Sequence, residues 1–514
     1  MRRRLPLLIA AIALAAACNR TATHGDGGGS SLPEFGVTAS VTVDLSAPVA
    51  EVDARFLSFA VDSSQVVGGL WWAPSGGSEQ EPVAPFDFAR PRLRRLAAEL
   101  APAFLRIGGT DADRIYYDMT GSEGVPAPAG YEYVLTRALW DGVNDFAATL
   151  GLDVFFTLNA GPGPRGSGRS WRPDNARTLI RYTVTQGYPV AVWELGNEIN
   201  ANALTHGVRW LLTGADYARD LETLKTLVAQ ENPGAPVAGP SSAFWPVAGE
   251  RLHITEQMLR ADPAAADIVT WHYYPSQSER CPTATRRASS TALLFPPYLD
   301  EFRAWAEDVL ILRDDYAPGT PVWLGETGNA QCGGEPGVSD RYVAGLWWLD
   351  ELGLAARSGQ QVVVRQTLAG SDYGLLDDAT LAPRPDYWNS VLWKRLMGTR
   401  ALAVSRTGDN RVRAYAHCSP ADGVTVLVLN LNQTGDATVA IAPFAGRAAD
   451  RYVFTGDYPT SPEVRLNGAI LRTQEDGALP PLRPDSGRPF GTLRLPPVSY
   501  AFVAFPDADA PACR

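Results

Sequence analysis

The chain has 514 residues, 45% hydrophobic and 20% charged, enough to bury a large core and to divide into more than one domain. Its formal net charge of -11 argues against nucleic acid or an anionic membrane surface as a partner. Five cysteines with no CxxC or HExxH pattern give no reason to expect a metal or any other cofactor.

The first segment is Arg2, Arg3 and Arg4, an apolar run from Leu5 to Ala17, and Cys18. The run is too short for a comfortable membrane span, so residues 1–18 are predicted to be a secretory signal. Leu14-Ala15-Ala16-Ala17-Cys18 resembles a bacterial lipobox, in which a lipid on Cys18 would be the chain's only membrane attachment; plain cleavage after the alanines is the alternative. Either way the expectation is export, as a bacterial cell-envelope lipoprotein of the outer membrane or periplasm or as a secreted protein. Residues 19–35, rich in Gly, Ser and Thr, bury too little to fold and are expected to be a flexible tether. Beyond them stand Cys281, Cys332, Cys418 and Cys513; an even number in an exported chain predicts two disulfides, with three pairings open.

Residues 36–52 begin with an alternating strand pattern over 37–45, which is expected to join a β domain. From residue 53 to 398, eight short apolar runs alternate with segments of helical period: 56–62, 104–109, 153–159, 189–196, 236–240, 268–274, 321–326 and 362–367. That alternation predicts parallel strands joined by crossover helices. Helices are expected over 91–100, opening on a proline, and over 341–357, where Leu346, Trp347 and 349–354 make an apolar stripe. Eight repeats give a (β/α)8 TIM barrel. After Gly398 the runs 411–418, 424–431, 438–441, 451–455, 463–466 and 498–505 alternate without helical spacers, so residues 399–514 are predicted to form an antiparallel β-sandwich domain, with Asn467-Gly468 as a hairpin turn.

In such a barrel the chemistry sits at the C-terminal ends of the strands. Glu198 follows the fourth run and Glu326 ends the seventh, so the fold can bring together two carboxylates 128 positions apart in sequence. Hydrolysing a glycoside with retention needs one carboxyl to protonate the leaving oxygen and another, about 5–5.5 Å away, to attack the anomeric carbon. Asn-Glu at the end of strand four resembles the acid/base signature of a large barrel clan, which makes Glu198 the acid/base and Glu326 the nucleophile. Glu194, two residues deeper, reads as half of a structural ion pair. Asn197 can offer its amide to a sugar 2-hydroxyl, Tyr274 can hold Glu326, and His272 is better placed to donate to the carboxylates than to shuttle protons. The arginines of two loops, Arg165, Arg169 and Arg172, and Arg280, Arg286 and Arg287, read as solvated; the alternative is that they gather basic density near the mouth.

Several segments together resemble the heparanase-type β-glucuronidase family: 56–62, Leu105-Arg106-Ile107-Gly108-Gly109-Thr110, 193–200, Thr270-Trp271-His272-Tyr273-Tyr274, 323–334, Val363-Val364-Arg365-Gln366 and Pro385-Asp386-Tyr387-Trp388. The resemblance implies the same two glutamates as catalysts. It also implies contacts from Asp62, Thr110 and Asn197 to sugar hydroxyls, Gln366 lining the same pocket, and a uronate held by the turn Cys332-Gly333-Gly334 and by Tyr373. The family's terminal cysteines imply a Cys418–Cys513 bridge. Cys332 departs from the family, which often has glycine there; because it follows strand seven while Cys281 follows strand six, a bridge between them is expected to brace the site. A short connection over 119–133 implies that no segment is excised, and the lack of long basic clusters weakens heparan sulfate as substrate. The implied partner is a glucuronic-acid-containing oligosaccharide or polysaccharide. The alternatives are a same-clan glycosidase acting on a neutral sugar and a catalytically silent glycan-binding surface lipoprotein.

Overall fold

The computed structural model describes residues 36–72, 80–122 and 124–514. The predicted signal and tether, with Cys18, lie outside the described residues. Eight parallel strands close into a barrel, in order Leu57–Asp62, Phe104–Gly108, Asp153–Leu158, Val190–Leu195, Val237–Trp245, Ile268–Tyr273, Val322–Thr327 and Val363–Arg365, the last pairing back onto the first. They are called the first to eighth barrel strands below. The TIM barrel read from the eight apolar runs is therefore present.

The crossover helices carry their own start and stop signals. Helix Arg137–Leu150 begins where Thr136 Oγ1 accepts the Leu139 amide and ends at Gly151, φ 66°; helix Gly214–Glu231 opens with a capping box between Thr213 and Asp216. Helix Tyr342–Ser358 differs in being apolar on nearly every side, because the barrel covers one side and the β domain the other. From the domain side, Tyr415 Oη donates to Asp350 at 2.6 Å and Tyr500 stacks on Tyr342.

Inside the barrel, composition changes layer by layer. Phe104, Phe155, Val192, Ala238, Ile268 and Trp323 fill the lower lumen as an apolar plug. Two residues further along four of these strands, on the same inward face, stand Arg106, Thr157, Glu194 and Thr270, all with essentially no exposure. The polar layer rests on the plug and forms the foundation of the strand-end chemistry.

The β domain differs from the predicted sandwich of antiparallel strands in one respect. Its ten strands form one continuous hydrogen-bonded sheet, and strand Val37–Glu51 is the link, pairing antiparallel with Arg400–Gly408 and parallel with Ala437–Ala442. The two halves of the sheet enclose a shared core containing Val41, Val426, Val439, Leu493 and Val503. Asn467 and Gly468, φ 48° and 85°, turn the hairpin between Arg465–Leu466 and Ala469–Ile470. The disulfides are Cys281–Cys332 and Cys418–Cys513. Among the described residues no helix is long and apolar enough to cross a membrane.

Candidate active site

Arg106, on the second strand, is the hub. Its guanidinium donates to Glu194 at 2.9 and 3.2 Å, to Glu326 at 2.8 Å and to Asn197 Oδ1 at 3.0 Å. Thr157 (2.7 Å), Ser241 (2.9 Å) and Thr270 (2.8 Å) supply further donors to Glu194. Burial alone would raise the Glu194 carboxyl; Arg106 and the surrounding donors outweigh it and hold the carboxyl below its ordinary value. Glu194 is thus the structural ion-pair member that its depth suggested, and its partner also grips Glu326.

Glu326 is held at both oxygens, by Arg106 on one and by the Tyr274 hydroxyl at 2.7 Å on the other. Burial drives the Tyr274 phenol well above its usual range, so it stays a neutral donor. Across from it, Glu198 leaves the fourth strand in a left-handed conformation, φ 51° and ψ 55°, which costs about 1–2 kcal/mol for a non-glycine residue. Its amide is anchored to the Ser241 carbonyl at 3.0 Å. An oxygen of Glu198, a ring nitrogen of His272 and an oxygen of Glu326 all lie within 4.8 Å of one another. Burial raises the Glu198 carboxyl to about 7. Burial also depresses His272 to about 4, keeping the imidazole neutral. This trio is the one metal-like grouping among the described residues. With Arg106 and Tyr274 already on Glu326, an added cation would displace a donor and face a fixed positive charge.

The other candidate residues fall into two sets. Asp62, Thr110, Asn197, Tyr274, Cys332, Gln366 and Tyr373 line one cavity of about 410 Å³ together with Glu198 and Glu326. Two donors, Arg106 and the Gly109 amide at 3.1 Å, fix Asn197 Oδ1, which turns the Asn197 NH2 group away from them. Asp62 caps helix Ser63–Val67 through Ser64 and accepts from Gln366 at 3.0 Å; burial first, then Glu326 and Asp111, raise it to about 7. Gly109 must be glycine, since a Cβ there would sit 2.1 Å from the Asp62 carboxylate.

The second set lies behind the surface. His272 does not line the cavity; it sits beneath, bonded to Glu198 at 3.3 Å and to Ser241 at 2.8 Å, where it supports Glu198 rather than meeting the sugar. Gly333 and Gly334 also stand back. Their φ angles are 82° and 83°, and a Cβ on Gly333 would meet Trp72 at 2.5 Å, so the turn is a packing point for the Leu70–Trp72 strand. The loop arginines divide: Arg169, Arg172 and Arg287 are exposed, as read from the sequence, whereas Arg165, Arg280 and Arg286 are held within the protein. Arg165 pairs with Asp220 at 2.7 Å, Arg286 with Glu301 at 2.7 Å, and Arg280 with Asp372.

Sequence reasoning missed Arg106 and Ser241 as parts of the site. An arginine in an otherwise apolar run was a usable signal for the first. The fifth strand seemed to end at Pro240, whereas it continues to Trp245 through a bulge between Pro240 and Ser242 that leaves Ser241 at φ 58° facing Glu194.

A (β/α)8 barrel carrying paired, differently held carboxylates at its strand ends is the architecture of a barrel glycosidase, and the chain is a retaining glycoside hydrolase. Residues 38–353 match the family model described as glycosyl hydrolase family 79, N-terminal domain. The chain belongs to that family. Relatives include heparanase from Gallus gallus, 32% identical over 93% of this chain and 97% of its own. Baicalin-beta-D-glucuronidase from Scutellaria baicalensis is 28% identical over 89% and 90%. Among solved structures, a 4-O-alpha-L-rhamnosyl-beta-D-glucuronidase from Fusarium oxysporum matches with a TM-score of 0.65 at 17% identity, covering 90% of this chain and 100% of that one.

Proposed function

We propose that the protein hydrolyses β-D-glucuronides, at the ends of or within glycans, by double displacement. Glu198, protonated below about pH 7, protonates the glycosidic oxygen while Glu326 attacks the anomeric carbon and forms a glycosyl-enzyme; Glu198 then takes a proton from the water that releases the sugar. The observation that carries this reading is the approach of an oxygen of each carboxyl to within 4.8 Å of the other, which suits the roughly 5–5.5 Å of a retaining pair and falls short of the roughly 6.5–9.5 Å of an inverting one. Asn197, with its acceptor already engaged, presents its amide to the 2-hydroxyl, and Tyr373 and Cys332 line the side assigned to the uronate. The glucuronidase and heparanase names of the relatives support the sugar assignment.

The test is Glu326→Gln. Hydrolysis of 4-methylumbelliferyl glucuronide is expected to vanish while the circular dichroism spectrum and melting temperature are kept, and normal turnover by a folded variant refutes the role. Equal rates of the wild-type enzyme on the glucuronide and the matching glucoside refute the uronate preference.

Export as a lipoprotein rests on the arginines, apolar run and Cys18 of the leader. Cys18→Ala is expected to move the protein from the membrane fraction to the soluble fraction of an expressing bacterium; unchanged partitioning counts against the anchor.

A further inference from the structure

The acid must touch the oxygen that leaves, so the wall adjoining Glu198 is the wall that meets the aglycone. That wall comes from the chain immediately after Glu198 and from the end of the fifth strand: Ala201, Leu204 and Thr205, then Trp245, with Pro282 and Thr283 opposite. Leu204 is 82% exposed, and Val208, four residues on, is 83% exposed. A single exposed leucine is unremarkable on a protein surface, but one that lines the cavity on the segment following a catalytic acid, with a tryptophan in the same lining, makes an apolar ledge.

The charges nearby exclude one class of aglycone. The cavity lining holds Asp62, Asp111, Glu198 and Glu326 against a single basic side chain among the described residues, Arg114. Arg114 is already bound to Asp111 at 2.9 Å and lies 3.5 Å from Glu132. Of the loop arginines, Arg165, Arg286 and Arg280 are bound to Asp220, Glu301 and Asp372, and Arg169, Arg172 and Arg287 stand outside the cavity lining. Among the described residues that line the cavity, a sulfated sugar in the leaving-group position would meet carboxyls of its own sign and no unpaired cation; Arg209, next to Val208, stands outside the lining, 4.5 Å from the Trp210 ring.

We propose that the leaving-group subsite takes an uncharged, apolar aglycone, aryl or alkyl, and that Leu204 is its specificity-determining residue. The proposal deepens the glucuronidase reading and rests on its assignment of Glu198. Benzyl and methyl β-D-glucuronide test it, because benzyl alcohol and methanol are nearly equal in acidity and differ mainly in the phenyl ring. Burying that ring on the ledge predicts a benzyl:methyl ratio of kcat/KM on the order of tenfold to a hundredfold, and Leu204→Asp is expected to cut the ratio about tenfold by placing a charge against the ring. A glucuronide of N-sulfated glucosamine is expected to react at least roughly tenfold more slowly than the benzyl compound, and Leu204→Lys to narrow that gap.

A wild-type benzyl:methyl ratio near one, a ratio insensitive to Leu204→Asp, or a sulfated substrate that matches the benzyl compound overturns the proposal. The matching glucosides, assayed alongside, separate the two claims. A benzyl preference confined to glucosides keeps the apolar subsite and removes the uronate reading, whereas glucuronide turnover without benzyl preference does the reverse. Turnover of neither series overturns both.

Discussion

Arg106→Met separates what the central arginine does for the fold from what it does for the reaction. Arg106 and Glu194 are both at 0% side-chain exposure, and methionine fills most of the arginine stem while removing the charge. Glu194 would then remain as a buried anion held only by neutral donors, and breaking one side of a buried pair costs about 3–5 kcal/mol. Removing the second charge as well, in Arg106→Met/Glu194→Gln, is expected to restore about half of that or more, since the Thr157, Ser241 and Thr270 hydroxyls can still bond the amide that replaces the Glu194 carboxylate. Activity follows a different rule. Both variants lack the 2.8 Å donor on Glu326, a charge-assisted bond of about 1.5–3 kcal/mol, so kcat/KM falls roughly 10- to 150-fold in each. Urea midpoints followed by tryptophan fluorescence, with glucuronide hydrolysis on the same samples, give the two readouts. A single variant within about 1 kcal/mol of wild type, or a double variant no more stable than the single, refutes the buried-pair reasoning.

Three other outcomes follow from the site. Glu198 must be protonated to act as the acid and its carboxyl is raised to about 7, so kcat/KM is expected to fall as pH rises through about 7, and Glu198→Gln assayed on an activated aryl glucuronide should lose that limb. The linked stability has the same sign: a carboxyl raised on folding stabilises fully below its ordinary 4.5 and loses that contribution as pH climbs through about 7, so Glu198→Gln should gain stability relative to wild type at pH 8 but not at pH 4. Cys281→Ser/Cys332→Ser opens a loop of 51 residues, a loss of roughly 4 kcal/mol by chain entropy; because Cys332 lines the cavity, KM is expected to rise as well, and an unchanged midpoint and KM would show that the bridge braces nothing.

The barrel and its two glutamates were legible because the sequence signal for each is local. An apolar run of strand length reports burial, and a carboxylate at its end reports a change of environment. Strand ends agreed within a residue or two where a turn residue followed, as at Asp62 and Gly109. They failed at Pro240, where a bulge lets the strand continue past a residue that ordinarily ends one. Strand Arg400–Gly408 went unread because its exposure pattern has no clean alternation and three of its nine residues are charged or glycine. Partner choice was the deeper omission. Nothing near Arg106 in the chain says that its guanidinium joins Glu194 to Glu326, because those contacts span 88 and 220 positions and arise only when the barrel closes. Arg165, Arg280 and Arg286 were misread for the same reason: their partners lie elsewhere in the chain.

Strand Val37–Glu51 has a consequence for biosynthesis. It leaves the ribosome before any barrel strand, yet its neighbours on both sides, Arg400–Gly408 and Ala437–Ala442, are translated after the whole barrel. This segment, the earliest β-strand among the described residues, must therefore wait, unpaired, until the barrel has been produced, and a nascent chain stalled after the barrel would carry a naked apolar edge. Chaperone dependence should accordingly concentrate on that interval, and separating the barrel from its companion sheet should leave Val37–Glu51 without either neighbour.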